Sequence, residues 1–295
     1  MRWENERRSN NIEDRRGQGQ QTRNRGQRGA GLPIPLKGKG GLAILVLVLA
    51  AGYFGFDLTP ILNGEMPLGA QQTEERREYV ASPAEREMAD FTSVALAKTE
   101  ELWIARFKEN GLKYREPTLV IYNGATSTAC GYGQSAMGPF YCPADEKVYL
   151  DLSFYQDMKK NLGGGGDFAQ GYVIAHEVGH HVQHLLGIST KMREAQAGAS
   201  KKEANQLSVK LELQADCFAG IWGRSIQDQN LLDINDLEEA MNTAAAIGDD
   251  RLQKQSQGVV VPDSFTHGSS KERQKWFMRG FNTGSINACN TFAAH

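Results

Sequence analysis

The stretch GYVIAHEVGHHVQHLLGI, residues 171–188, holds four of the six histidines in a chain of 295 residues. Apolar residues recur along it at helical spacing: Ile174, Val178, Val182 and Leu185. This periodicity predicts a helix that buries one face in a core. On such a helix His176 and His180 lie one turn apart and project together, as two ligands of one tetrahedral metal ion must. The stretch therefore predicts a metal-binding helix.

Glu177 directly follows the first of these two histidines. In the HExxH pattern of zinc hydrolases this glutamate is not a ligand but takes a proton from water. His180 and His184 form a competing pair one turn apart, but no carboxylate follows His180. We therefore expect His176 and His180 to bind the metal and Glu177 to be the general base. His181 and His184 are interpreted as surface or supporting residues.

A third ligand is expected from a second predicted helix, KLELQADCFAGIWG at residues 210–223. Glu212 and Asp216 face the same way on it, within an apolar helix where unpaired carboxylates would be costly. We expect Glu212 to bind the metal and Asp216 to accept the free ring N–H of a ligating histidine, which fixes its tautomer. The metzincin pattern needs glycine and histidine where this chain has Gln183 and Leu186, so that class is excluded.

The chain before the predicted domain divides into three segments. Residues 1–39 carry ten Lys/Arg against four Asp/Glu and few large apolar residues. We expect a disordered basic arm that fixes topology, an interpretation preferred to nucleic-acid binding. Residues 40–56 include the 15 uncharged residues LAILVLVLAAGYFGF and predict an uncleaved transmembrane helix in the lipid bilayer. Residues 57–81 mix Pro, Gly and charge, which predicts a linker.

Residues 82–295 are predicted to form one globular domain. Ser82 begins a helix with a capping box that continues to Gly111, and a second capping box begins at Ser269. TLVIYNG (118–124) and KVYLDLSF (147–154) are rich in β-branched and aromatic residues, which predicts strands.

Topology and cysteine content give one joint prediction. The positive-inside rule places the basic arm in the cytoplasm and the domain outside it, where disulfides persist. All four cysteines lie in the domain. Cys130 and Cys142 flank one glycine-rich loop between predicted strands, so we expect them to pair and to leave Cys217 and Cys289 for each other. Four cysteines allow three connectivities, so this pairing is a hypothesis.

Four segments together resemble the bacterial putative neutral zinc metallopeptidase family over residues 70–292: HEVGH, ELQADCFAG, SFTHGSSKERQKWFMRGF and ACGYGQSAMGPFYCPADEKVYLDLSF. The resemblance implies an α+β, zincin-like metallopeptidase domain at 82–295, mostly helical with a small sheet, behind the single N-terminal transmembrane helix. Since the family is bacterial, the predicted anchor and the positive-inside rule place the protein at the bacterial inner membrane in a single pass, with a cytoplasmic N-terminus and a periplasmic or extracellular catalytic domain.

The activity implied is that of a gluzincin-like zinc metallopeptidase acting on a peptide or protein substrate. Zn²⁺ activates a water and Glu177 takes its proton. His267, in a Thr-His-Gly element similar to one in membrane-bound gluzincins, would donate to the developing oxyanion; the alternative is a surface residue or a neighbour of a helix cap. KVYLDLSF is the best candidate for the edge strand along which zincins align their substrates.

Two alternative functions would also use a zinc site. A different zinc amidase, such as a deformylase, is expected to use a cysteine ligand in an upstream loop motif, and neither Cys130 nor Cys142 has that setting. A catalytically inactive, anchored zincin-fold protein that acts as a binding or scaffold module stays open. Such a protein would hold its zinc in a closed site of four ligands, whereas three ligands are visible in the motifs.

Overall fold

The structure, a computed structural model, describes residues 1–18, 79–161 and 165–293, which are mostly helical with a small sheet. The helices in these ranges are α1 (Pro83–Glu109), α2 (Ser153–Asn161), α3 (Asp167–Leu185), α4 (Ile188–Ala197), α5 (Lys201–Asp228), α6 (Asp236–Ala246), α7 (Asp249–Gln257) and α8 (Ser270–Thr283). The strands are β1 (Ile12–Asp14), β2 (Thr118–Tyr122), β3 (Ala125–Thr128), β4 (Gly131–Gln134), β5 (Phe140–Cys142) and β6 (Lys147–Asp151). Short 3-10 turns lie at Ser135–Met137, Pro262–Ser264 and Ile286–Cys289.

The main sheet has four strands in the order β1-β2-β6-β5. β2 pairs in parallel with both β1 and β6, whereas β5 pairs antiparallel with β6. The predicted edge strand KVYLDLSF contains β6, which lies between two other strands, so that prediction is wrong. The edge beside β6 is β5, which is only three residues long and therefore too short to give a strand pattern in the sequence.

The metal-binding helix predicted from HEVGH is α3, and it packs against α5 at very short range. An ideal Cβ placed on Gly179 would lie 3.2 Å from the Cα of Ala215, tighter than side chains normally pack. A second close approach joins α5 to α8, where a Cβ on Gly280 would collide with the carbonyl of Cys217. These glycines let α5 lie against both neighbours, which brings Glu212 and Asp216 next to the histidine helix.

Helix starts agree with the capping patterns in the sequence. Ser82 with Glu85, and Ser269 with Glu272, both form complete capping boxes. The first predicted helix ends at Glu109, two residues before the predicted Gly111. Hydrogen bonds between side chains and the nearby backbone determine these helix starts, so residues close in sequence are sufficient to predict them.

Both predicted disulfides are present. Cys130, in the turn between β3 and β4, bonds Cys142, the last residue of β5. Cys217 of α5 bonds Cys289 in the last 3-10 turn, 72 residues later. Both sulfurs of the second bridge belong to fully buried residues, so it tethers the C-terminal end of the described chain to the helix that carries Glu212.

The prediction of a disordered arm over residues 1–39 is wrong for residues 1–18. β1 extends the sheet, and the buried Trp3 stacks edge-on against Phe91 with ring centroids 5.6 Å apart. The carboxylate of Glu100 is buried on α1, and its donors come from this segment: Ser9 Oγ at 2.5 Å and Arg7 Nη2 at 2.8 Å. The composition of the segment predicts disorder because composition carries no information on hydrogen bonds and strand pairing with residues far away in the sequence.

The predicted anchor, residues 40–56, and nearly all of the predicted linker lie outside the described residues. Among residues 1–18, 79–161 and 165–293, no helix combines the length and apolar character needed to cross a membrane. A single crossing between residues 18 and 79 would also put β1 and β2 on opposite sides of a bilayer, yet they pair within one unit. The single-pass fold and the inner-membrane localisation with a cytoplasmic N-terminus are therefore wrong.

Trp3 provides a test of the packed N-terminal segment. Trp3→Ala removes a buried indole that also donates from Nε1 to Asp167 at the start of α3, at 2.9 Å. We expect the free energy of unfolding to fall by about 3 to 5 kcal/mol, the usual cost of such a truncation. Urea unfolding measures it, with the exposed Asn5→Ala as the control expected to change stability by less than about 0.5 kcal/mol. Equal stabilities for wild type and Trp3→Ala would show that the segment does not pack.

Candidate metal centre

Three side chains from α3 and α5 converge at one point, and each offers a ligand atom. The ligand atoms of His176, His180 and Glu212 all lie within 4.8 Å of one another. Nε2 of His176 is 3.2 Å from one carboxylate oxygen of Glu212, and Nε2 of His180 is 3.4 Å from the other. The helical spacing of the two histidines and the close contact of the two helices produce this arrangement. The structure thus brings together the three residues predicted to bind the metal.

Asp216 lies behind His176, where the sequence analysis places it. Its Oδ1 is 3.0 Å from Nδ1 of His176. Two residues that the sequence analysis missed hold this carboxylate. Arg273 of α8 bonds it with Nε at 2.8 Å and Nη2 at 2.9 Å, and the hydroxyl of Tyr172 donates to Oδ1 at 2.5 Å. All these groups are buried, so Asp216 has a fixed position.

Part of this support left a signal in the sequence. Tyr172 precedes His176 by four residues, so the two side chains share a face of α3. Arg273 follows the capping box of α8 at a buried position, but its partner Asp216 lies 57 residues earlier. No local pattern reports a pairing over that distance.

Opposite charges shift the pKa values of the cluster in a consistent direction. Burial alone would lower the pKa of His176, but the carboxylates of Asp216 and Glu212 outweigh it and raise that pKa to about 10. Burial alone would raise the pKa of Glu212, but His180 and His176 hold it well below its usual value. Burial also acts against Arg273 on Asp216, and Arg273 prevails, so that the pKa of this carboxyl is lowered. The cluster therefore favours a positive charge between its three ligand atoms, supplied by protons or by a cation.

The donor set fits a zinc ion. Asp216, kept ionised by Arg273, is placed to accept the Nδ1–H of His176, so that Nε2, which faces Glu212, would be the nitrogen that binds a metal. Two imidazole nitrogens and one carboxylate oxygen form the ligand set of many catalytic zinc sites, which keep a fourth position open. Within the described ranges three His, Cys, Asp or Glu side chains meet at this point, in agreement with such an open site.

Comparison with known proteins agrees with this geometry. A family model described as putative neutral zinc metallopeptidase matches residues 1–292. The chain belongs to this family. The match begins at residue 1 rather than near residue 70, where the sequence resemblance was expected to begin. Segment 1–18 is therefore part of the family domain, as its packing in the structure indicates.

Two relatives match the chain over different lengths. The chain is 58% identical over 292 residues to "Uncharacterized protein YpfJ" of Escherichia coli K12. This alignment covers 99% of both proteins. It is 41% identical over 192 residues to "Uncharacterized protein Rv2575" of Mycobacterium tuberculosis H37Rv, which covers 61% of this chain and 64% of the relative. No solved structure matches the chain.

A cavity of about 570 Å³ opens onto His176, His180 and Glu212. Glu177 lines it beside His176 and His180, as the general-base prediction requires, although Glu177 is only 9% exposed. The remaining wall is largely apolar and includes Met137, Pro139, Phe140, Phe154, Val173 and Leu252.

His267 lines the same cavity, and its side chain is half exposed. Its Nδ1 is 3.2 Å from Asp249 Oδ1, and its backbone N–H donates to Asp249 Oδ2 at 2.6 Å. The hydrogen bond to Asp249 raises the pKa of the imidazole. The structure thus brings His267 to the site, within reach of a ligand in the cavity.

The other two histidines of the opening stretch lie outside the cluster, as expected, but His181 is not a surface residue. It is fully buried, with Nε2 2.6 Å from the carbonyl of Arg115 and Nδ1 2.9 Å from the hydroxyl of Tyr141. Burial lowers the pKa of His181 to about 4. His184 lies beside Glu146, with Nε2 3.5 Å from that carboxylate. Both side chains anchor α3 to neighbouring loops.

Proposed function

We propose that the protein is a zinc-dependent metallopeptidase that hydrolyses peptide bonds with Glu177 as the general base. The observation that carries this proposal is the convergence of His176, His180 and Glu212 at a cavity that Glu177 also lines. The three-ligand set favours a catalytic zinc over a structural one, since structural sites are usually closed by four protein ligands. The inactive scaffold is therefore the less favoured function.

Zn²⁺ in a site of this kind acts as a Lewis acid, which lowers the pKa of water to about 7 and polarises a carbonyl group. Glu177 takes the proton from the attacking water and later delivers it to the leaving amine. Asp216 keeps His176 in the tautomer with a free Nε2 lone pair. The buried bonds of Asp216 to Arg273 and Tyr172 fix the position of this carboxylate.

His267 is proposed to stabilise the oxyanion. With Nδ1 held by Asp249, the raised pKa favours the imidazolium, which can donate from Nε2. The backbone N–H of His267 donates to Asp249, which fixes the position of His267 in the cavity wall. A donor aimed at the developing negative charge is a common source of catalysis in acyl transfer.

The substrate is proposed to bind as an extended peptide beside β5. Phe140 and Tyr141 of this strand line the cavity, and among the described residues β5 pairs on one side only, with β6. Its free edge can therefore add a further strand, with main-chain hydrogen bonds for affinity and the apolar wall for side-chain selection.

A peptide-cleavage assay tests the function. Purified protein loaded with zinc is incubated with a mixed peptide library, and new termini are identified by mass spectrometry. We expect cleavage that a zinc chelator abolishes and that added Zn²⁺ restores. Protein that holds one zinc per chain and cleaves no peptide in the library would contradict the peptidase function and support the scaffold.

A further inference from the structure

His180 is held from behind by an amide, whereas His176 is held by a carboxylate. Nδ1 of His180 lies 2.9 Å from Oε1 of Gln183, three residues later on the same helix. Gln183 is fully buried. A buried glutamine beside a metal-binding residue is costly unless all of its polar atoms are bonded, so its other contacts show what it does.

The amide of Gln183 can adopt only one orientation. Its Nε2 donates to the carbonyl of Leu211 at 2.7 Å and to Oε1 of Gln214 at 3.1 Å. A backbone carbonyl accepts hydrogen bonds and cannot donate them, so the nitrogen must face Leu211 and the oxygen must face His180. The proton between Gln183 and His180 therefore belongs to Nδ1 of His180.

Gln214, the next glutamine in this series of hydrogen bonds, is fixed in the same way. Nε2 of Gln214 donates to the carbonyl of Cys289 at 3.0 Å, and Gln214 is 5% exposed. Its Oε1 must therefore face Gln183. Two amides thus form a directed relay from the carbonyl of Cys289 to the ring of His180, and the Cys217–Cys289 disulfide holds the far end against α5.

The relay determines which ring nitrogen of His180 faces the metal site. With Nδ1 donating to Gln183, Nε2 is directed at Glu212, 3.4 Å away, and would be the ligand atom. The same amide bonds the carbonyl of Leu211, the residue before Glu212, and so links the two ligand-bearing helices at the site. An amide also supplies this bond without adding another carboxylate to a site that already contains Glu177, Glu212 and Asp216.

We propose that Gln183 and Gln214 are positioning residues that orient His180 for zinc binding and connect this ligand to the disulfide-tethered C-terminal turn. The inference rests on the proposed zinc site, but it concerns metal affinity and not hydrolysis. Residues that orient metal ligands from behind typically change affinity by about 10- to 100-fold when they are replaced.

The test measures the dissociation constant for Zn²⁺ by competition with a chromophoric chelator, using the full chain with its disulfides intact. Gln183→Met keeps the volume and removes every hydrogen bond of the amide. We expect its dissociation constant to rise about 10- to 100-fold. Gln214→Met leaves the contact between Gln183 and His180 in place, so a smaller rise is expected.

Gln196→Met is the matched control. Gln196 of α4 also donates to two acceptors, the carbonyl of Ala204 and Oγ of Ser208, both at 2.9 Å, away from the metal ligands. Its replacement is expected to lower the melting temperature and to leave the zinc dissociation constant unchanged. A melting-temperature loss alone therefore does not count in favour of the relay.

A second readout reports the proton directly. Nitrogen-15 NMR of histidine-labelled, zinc-loaded protein should show the Nδ1–H of His180 slow to exchange with water in the wild type and faster to exchange in Gln183→Met. Wild-type zinc affinity and unchanged exchange of the His180 Nδ1–H in Gln183→Met would overturn the proposal, and if that variant does not fold, wild-type values in Gln214→Met would do so. Wild-type protein that binds no zinc would overturn the proposed function as well, whereas zinc binding without peptidase activity would leave the relay intact.

Discussion

Glu177→Gln is expected to retain zinc and the fold and to lose peptide hydrolysis by about 10²- to 10⁴-fold, the usual contribution of a general base. The substitution preserves the size of the side chain and removes its capacity to accept a proton. Glu177 is outside the cluster of His176, His180 and Glu212, so the metal ligands are unchanged. For the wild type and Glu177→Gln we would measure kcat on a peptide that the wild type cleaves, together with the zinc content and the melting temperature of each protein.

The control for this prediction is Glu194→Gln, the same change at an exposed glutamate of α4 that does not line the cavity. It should hydrolyse the peptide at the wild-type rate. Full activity in Glu177→Gln would contradict the mechanism, because no other carboxylate of the HExxH motif could take the proton. Loss of zinc together with activity would instead place Glu177 among the metal ligands.

The parts of the site that the sequence predicts are those that depend on helical periodicity. His176, Glu177 and His180 occupy one helix, and Glu212 and Asp216 occupy another at a spacing of one turn. Each set is fixed by local geometry once its segment is helical. The three predicted ligands also form a ligand set known from catalytic zinc sites. The sequence therefore predicts that the two helices lie side by side before any tertiary contact is known.

The parts that the sequence does not predict depend on partners far apart in the chain. Arg273 supports Asp216 from another helix, and Gln183 reaches His180 in a direction that Leu211 determines. Neither residue belongs to the HExxH or ExxAD motifs. Such contacts follow from the close approach of α3, α5 and α8, which the glycines permit but do not specify.

Residues 1–18 show the same limit more strongly. Their composition is that of a solvated tail, because the segment is rich in Arg, Asn and Glu residues. Their structure depends instead on a short parallel pairing with β2 and on the buried Trp3 and Glu100. Three strand residues give no periodic signal, and parallel pairing joins segments that are more than a hundred residues apart. The topology prediction relied on this segment being free, and it is wrong for that reason.

Replacing any one of the three predicted ligands should empty the metal site. In His176→Ala, His180→Ala and Glu212→Ala, two ligands would remain, and we expect the zinc dissociation constant to rise by more than about 10²-fold, beyond the effect of a residue that only orients a ligand. Zinc per chain after dialysis, measured by plasma mass spectrometry, gives the result.

His184→Ala is the matched control, because His184 lies on the same helix, one turn after His180, and its Nε2 contacts Glu146 instead of Glu212. It should keep its zinc. His180 belongs to both possible histidine pairs, so its loss does not distinguish them, whereas His176 and His184 each belong to one. A site that His184→Ala empties and His176→Ala leaves filled would mean that the metal binds one turn further along α3. Glu177 would then no longer neighbour the first ligand, and both the general-base assignment and the role of Asp216 behind His176 would fail with it.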